Sequence, residues 1–199
     1  MNRLRLALQR VPRTALFAVA GLIQVALIAA MVIDRASILR QGTEIRLDTR
    51  PVDPRDFLRG DYVQLRYQIS TVRLDALAGT PSPGKNAPIY VKLAPNADGF
   101  YAAVSVHLEP VPVAGREVLI KGRLAGGFNC GGDIGIFCQT ADVTYGLERY
   151  FVPEGEGRAI ESARNEGKVS VVAAVTPEGR AAVKRLLIDG KPVYDEPLF

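Results

Sequence analysis

The sequence predicts a mainly β protein: an antiparallel barrel-like or sandwich domain with one short helix, preceded by a single N-terminal transmembrane helix. Three observations lead there. Residues 14–33 hold no charged side chain. Most of the remaining chain breaks into short runs of alternating apolar and polar residues, punctuated by Gly and Pro. One stretch, about Gly157–Arg164, has the character of a short helix instead.

The N-terminal element comes first. Thr14–Ile33 is 20 residues long, and at about 1.5 Å per residue it spans about 30 Å, the thickness of a bilayer's hydrocarbon core. A cleaved signal peptide has a shorter apolar region ending in an A-x-A-like site. Here Leu27 and Ile28 precede Ala29 and Ala30 and fit such a site poorly, so the helix is expected to remain as an anchor. Arg3, Arg5, Arg10 and Arg13 lie before the span with no acid among them, whereas Arg35, Arg40 and Arg46 after it are mixed with Asp34, Glu44 and Asp48. That bias favours an N-terminus inside. The expected organisation is a basic cytoplasmic tail (1–13), a transmembrane anchor (14–33), an exit segment (34–42) and an extracytoplasmic β-rich domain (43–199). The expected location is the cytoplasmic (inner) membrane, single-pass, with the bulk of the chain periplasmic. Along the anchor, Phe17, Ala20, Gly21, Gln24 and Ile28 share one face. Small residues at 20 and 21 would admit another helix, and Gln24 could hydrogen-bond across that contact. An integral membrane protein is the partner this face would suit, beside the bilayer itself.

Charge narrows the function classes. Removing the four tail arginines from 25 Lys+Arg leaves 21, against 21 Asp+Glu, so residues 34–199 have zero formal net charge. The basic balance belongs to the tail, and composition gives no support to nucleic-acid binding, which needs a basic face on the domain.

The predicted strands are Thr43–Thr49, Asp61–Ser70, Pro88–Ala94, Phe100–Glu109, Arg116–Leu124, Gln139–Tyr145, Lys168–Thr176 and Ala182–Asp189. In the second, Val63, Leu65, Tyr67 and Ile69 share one face, while Tyr62, Gln64, Arg66 and Gln68 share the other. In the fourth, Phe100, Ala102, Val104, Val106 and Leu108 form the apolar face, leaving His107 opposite, beside Ser105 and Glu109. That placement makes His107 a surface or hydrogen-bonded histidine. Turns are expected at 80–86, 96–99 and the Gly-rich 126–135. The helix near 157–164 should end at Asn165–Gly167.

Cys130 and Cys138 are the only cysteines, too widely spaced for a C-x-x-C motif, and the single histidine leaves no Cys/His zinc set. A glycine-rich turn between them could bring the thiols together, which in an oxidising compartment gives a disulfide. The competing reading is two buried free thiols. No cofactor motif and no metal set stands in the sequence.

The most informative stretch is Pro51–Tyr67, PVDPRDFLRGDYVQLRY, containing Gly60, Asp61, Tyr62, Leu65 and Tyr67 in the order G-D-Y-x-x-L-x-Y. It resembles the GDYXXLXY-motif family of bacterial membrane-anchored proteins, as do the flanking DPRDFLRG and the later YGLERYFVPEGEG at 145–157. The resemblance implies a short membrane anchor, a compact extracytoplasmic domain and an accessory relationship to multi-spanning membrane proteins; it implies no established activity. Physically, the motif describes a way of starting a strand. Asp53, Pro54 and Asp56 suit a turn, Gly60 can take positive φ at the strand entry, and Leu65 and Tyr67 point to the core with Val63. Asp61 shares that parity and is expected to bond Arg55, Arg59 or a backbone amide.

DPRDFLRGDYVQL also resembles a segment of signal-peptidase-like Ser/Lys proteases, with Lys121 in VLIKGRLAGG standing where a lysine segment would. The nucleophile would fall eight residues before Gly60, at Val52, which cannot serve. Any likeness is to a scaffold without the chemistry.

The candidate polar site therefore combines Asp53, Arg55 and Asp61 with Glu148, Arg149 and Glu154. Two carboxylate blocks could act as acid and base, but Glu154 equally suits the first turn of the following helix, where the dipole is positive. The leading reading is a membrane-anchored extracytoplasmic accessory or binding domain. The alternatives are a carboxylate-dependent hydrolase of the cell envelope and a purely structural envelope component.

Overall fold

The computed structural model describes residues 12–51, 62–73, 86–130, 138–152 and 157–196. The chain divides between Ser37 and Ile38 into two compact units. In the first, helix α1 begins at Arg13; it continues to Gln41, through the predicted exit segment. Thr14–Gln41 is long and apolar enough to cross a membrane. Phe17, Leu22, Val25 and Met31 are all exposed along it. An uncharged run with exposed apolar side chains, as at 14–33, fits a lipid environment.

The second unit starts within the last turn of α1, where Ile38 and Leu39 are buried against Ala174 and Ala182. Gly42 follows the helix at a point where nothing larger fits: a Cβ there would lie 2.6 Å from the Ile38 carbonyl oxygen and 2.9 Å from the Val175 nitrogen. Among the described residues twelve strands follow: Thr43–Arg50 (β1), Tyr62–Gln64 (β2), Arg66–Tyr67 (β3), Thr71–Arg73 (β4), Pro88–Pro95 (β5), Tyr101–His107 (β6), Val118–Cys130 (β7), Cys138–Thr144 (β8), Arg149–Phe151 (β9), Val169–Val175 (β10), Ala181–Ile188 (β11) and Lys191–Asp195 (β12). Helix Gly157–Asn165 (α2) separates β9 from β10. The strands form two five-stranded sheets, β12-β11-β10-β1-β3 and β4-β8-β7-β5-β6, and a two-stranded ribbon, β2-β9. Every pairing is antiparallel. Of the two predicted architectures the sandwich is the one found; the sheets do not close into a barrel.

One hydrophobic core fills the space between the sheets, with Ile45, Leu47, Val171 and Leu186 from the first facing Ile89, Val91, Leu93 and Ile120 from the second. Central strand β10 is buried at every position. Its Ala174 lies on the outer face, under Ile38 and Leu39. At one point the sheets touch directly: the Lys121 amide of β7 donates to the Gly179 carbonyl in the β10–β11 turn, 2.8 Å away. Gly179 sits at φ +85°, and a Cβ there would come within 3.0 Å of the Lys121 nitrogen, so this contact admits only glycine.

Several details differ from the sequence reading: β4 and β9 are strands it lacked, and β7 runs to Cys130 into the turn expected at 126–135. The predicted strand Asp61–Ser70 is broken into β2, Leu65, β3 and a 3-10 turn at Gln68–Ser70, because successive pieces pair with different strands. The alternation predicted for Phe100–Glu109 fails at Ala102 and Val104, both exposed. β6 slips its register against β5 at Val104, Lys92 facing Ser105 and Leu93 facing Ala103, so the bulged Val104 is exposed while Val106 is buried. Strand β12 is an element the sequence reading lacked. It follows a tight turn in which Asp189 and Gly190 both have positive φ, 50° and 74°, the backbone of a type I′ hairpin.

Candidate functional site

The motif segment is the seam of the fold. Within twelve residues, 62–73, the chain pairs first with β9 through Tyr62–Gln64, then with β1 through Arg66–Tyr67, then with β8 through Thr71–Arg73. One short segment thereby joins the ribbon and both sheets. Such changes of partner leave backbone groups outside any ladder, and each buried one needs a partner. The second sequence block and helix α2 supply them, through backbone as well as side chains.

Val63, Leu65, Tyr67 and Ile69 are all buried, on the face predicted for them. The Tyr67 ring enters the core with 1% of its surface exposed, and its hydroxyl donates to the Leu147 carbonyl at 2.7 Å. Tyr145 answers it: its hydroxyl donates to the Ile69 carbonyl, also at 2.7 Å. The Leu65 amide, between β2 and β3, donates to the Glu148 carbonyl at 2.8 Å. The block at 145–148 is itself folded tightly, with Gly146 at φ +78° and the Tyr145 amide donating to Glu148 Oε1 at 2.6 Å. Burial pushes the hydroxyl pKa values of Tyr67 and Tyr145 well above the ordinary phenol value, and the nearby Glu148 charge adds to the effect. Both hydroxyls are therefore fixed donors.

Helix α2 holds the far side of the seam. Ile160 and Arg164, four residues apart, share a face and are both almost fully buried. Arg164 Nη1 donates to the Gln64 carbonyl at 2.6 Å, and its Nε and Nη2 reach Asn165 Oδ1. The helix stops in a Schellman arrangement: the Gly167 amide bonds the Arg164 carbonyl, the Lys168 amide bonds the Ala163 carbonyl, and Gly167 has φ +71°. On the outer side, Arg66 Nη2 reaches Asp142 Oδ1 at 2.8 Å and Thr71 Oγ1 donates to the same oxygen at 2.9 Å. This surface ion pair contributes little stability.

The structure therefore brings together the two sequence blocks, but through backbone and tyrosine contacts. Glu148 accepts the bond that shapes its own turn, and Arg149 is an exposed strand residue facing Gln64. Asp53, Arg55, Gly60, Asp61 and Glu154 lie outside the described residues, as does the side chain of Tyr62. The buried Arg164 is the residue the sequence reading missed; its place four residues after Ile160 on a short amphipathic helix is the signal that marks it. His107 hydrogen-bonds through Nε2 with Ser105 Oγ at 2.8 Å, as a strand-surface histidine. Among the described residues no group of three or more His, Cys, Asp or Glu side chains gathers to hold a metal ion. The backbone sets Cys130 and Cys138 as Cα partners, and their side chains lie outside the described residues.

No curated protein and no solved structure matches the chain. A family model described as GDYXXLXY protein matches residues 24–186, from within α1 through β11 and across the whole seam. The chain belongs to the GDYXXLXY family.

Proposed function

We propose that the protein is a membrane-anchored extracytoplasmic accessory domain that works beside an integral membrane protein. The observation that carries this reading is the N-terminal helix: an uncharged run at 14–33, apolar side chains exposed along its length, and entry into the folded unit at Ile38. Four residues, Asp34–Ser37, separate the uncharged run from that unit, so the domain works within reach of the bilayer surface. On the helix, Gln24 is exposed, and a Cβ on Gly21 would meet nothing within 4 Å. A second transmembrane helix could approach there along Ala20, Gly21 and Gln24, with an interhelical bond from the amide contributing about 0.5–2 kcal/mol. The four-arginine tail supports an orientation with the domain outside the cytoplasm. A neutral β sandwich whose motif residues Leu65 and Tyr67 serve the seam suits docking and scaffolding better than hydrolysis.

The test has two parts. In intact cells, an impermeant thiol reagent applied after reduction should label Cys130 and Cys138; labelling only after the cytoplasmic membrane is opened reverses the orientation. In mild detergent, the full chain should co-purify with an integral membrane protein, and Gln24→Leu with Gly21→Ile should weaken that recovery. A chain that purifies alone under every condition favours the purely structural envelope role.

A further inference from the structure

We propose that Cys130 and Cys138 form a register-locking disulfide on which the seam depends. The β7–β8 hairpin is regular near its base, where Arg123 faces Thr144 and Leu124 faces Val143. Beyond that it is irregular twice. Ala125, Gly126 and Gly127 of β7 stand against the single residue Asp142 of β8 before Phe128 meets Ala141. Then Asn129 meets Thr140 and Cys130 meets Cys138, so that Gln139 is the extra residue on the other strand. Burial of Ala141 and Val143 and pairing with β4 specify the register of β8 near the base, but the two irregularities leave the distal end of the hairpin free to take another offset on either strand. Slippage matters here. A slip of β8 would turn the buried Ala141 and Val143 out of the core and withdraw Tyr145, the next residue along, from the Ile69 carbonyl.

Cys130 and Cys138 pair beyond both irregularities, the one position from which a cross-link fixes the slack in both strands. Directly opposed residues of an antiparallel pair have Cα atoms about 4.5–5.5 Å apart, inside the range that a disulfide spans. The bond forms by thiol–disulfide exchange. One cysteine thiolate attacks a disulfide-bearing oxidant, the second displaces the oxidant's sulfur, and the oxidant leaves as two thiols, having taken up the two protons and two electrons. An extracytoplasmic compartment supplies oxidants of this class.

The experiment uses the full chain in detergent. As isolated, the chain should resist maleimide at both cysteines and gain two maleimides after reduction. Reduction should speed amide exchange at Val143, Tyr145 and Leu65 by about tenfold or more. Cys130→Ser and Cys138→Ser should exchange like the reduced chain and ignore reductant. A chain isolated reduced is next treated with oxidised glutathione: closure with restored protection keeps the lock and overturns the outward topology instead, whereas failure to close overturns the lock. Exchange that reduction leaves unchanged at all three amides also overturns it, even if the disulfide is present.

Discussion

Tyr67 and Tyr145 exchange hydrogen bonds across the seam: each hydroxyl donates to a carbonyl in the other's segment, Tyr67 to Leu147 and Tyr145 to Ile69, both at 2.7 Å. Neither segment is regular enough to satisfy those carbonyls by strand pairing, so the two rings act as reciprocal staples. The final tyrosine of the motif is thus explained by a bond eighty residues away in the chain, and the Tyr-Gly-Leu-Glu turn at 145–148 is its receiving half.

The first prediction separates ring from hydroxyl. Tyr67→Phe keeps the buried ring and leaves the Leu147 carbonyl without its donor, which should cost about 1–3 kcal/mol. Tyr67→Ala empties the core position as well, at about 3–5 kcal/mol. Tyr145→Phe should resemble Tyr67→Phe. Because both bonds hold the same two segments, the double Phe variant should depart from additivity by at least about 0.5 kcal/mol. Denaturant melts of the four proteins measure this; strict additivity would show two independent bonds.

Arg164 offers a second test. Its planar fork reaches the Gln64 carbonyl and the Asn165 side chain at once. Arg164→Lys keeps the charge and loses the fork, a substitution that is not conservative at such a site. Stability should fall by about 1–3 kcal/mol, and the Leu65 amide, which shares a peptide group with the Gln64 carbonyl, should exchange faster. A neutral result would mean that the guanidinium is held in the core only by its hydrocarbon stem.

The third prediction concerns Gly42. A Cβ at this position would stand 2.6 Å from one backbone oxygen and 2.9 Å from a backbone nitrogen, and neither can move without displacing helix α1 or strand β10. Gly42→Ala should therefore cost about 1–3 kcal/mol, the range for overpacking a close contact. Gly21→Ala, where a Cβ meets nothing, is the control and should leave the melting midpoint unchanged.

Much of this arrangement was legible because strand parity is a local property. The alternation in Tyr62–Ile69 is enough to place Val63, Leu65 and Tyr67 inward, and they are buried. The change of partner at Leu65 was hidden, since it depends on which strands arrive from β1, β8 and β9, and no spacing within the motif encodes that. Val104 illustrates the same limit: alternation put it inside, but a bulge against β5 turned it out. Strand β12 is different. Asp189-Gly190 is a strong hairpin signal between two apolar runs, so its partner strand could have been read directly. The hydroxyl partners of Tyr67 and Tyr145 were beyond reach, because a carbonyl acceptor leaves no trace in residue type.

The last prediction follows from the two buried phenols of the seam; buried Tyr150, its pKa also raised first by burial, adds to the same alkaline loss of stability. Both Tyr67 and Tyr145 have pKa values raised in the folded protein, first by burial and then by the charge of Glu148. In the unfolded chain each titrates near the ordinary value of about 10. Below that value both states hold the proton, and the contribution of each tyrosine to stability is fully present. As pH rises through about 10, the unfolded chain releases the proton while the folded protein keeps it, so the unfolded state binds fewer protons and stability falls. Each fully retained proton gives a slope of about 1.4 kcal/mol per pH unit, and the pair together about 2.7. The chain should therefore unfold steeply in alkali above pH 10. Tyr67→Phe removes one titrating group, so although it starts less stable near neutrality, its slope above pH 10 should be shallower by about 1.4 kcal/mol per unit. Urea melts at intervals between pH 9 and pH 11.5 measure both slopes, and parallel lines for the two proteins would mean that Tyr67 releases its proton in the folded protein over the same pH range as in the unfolded chain.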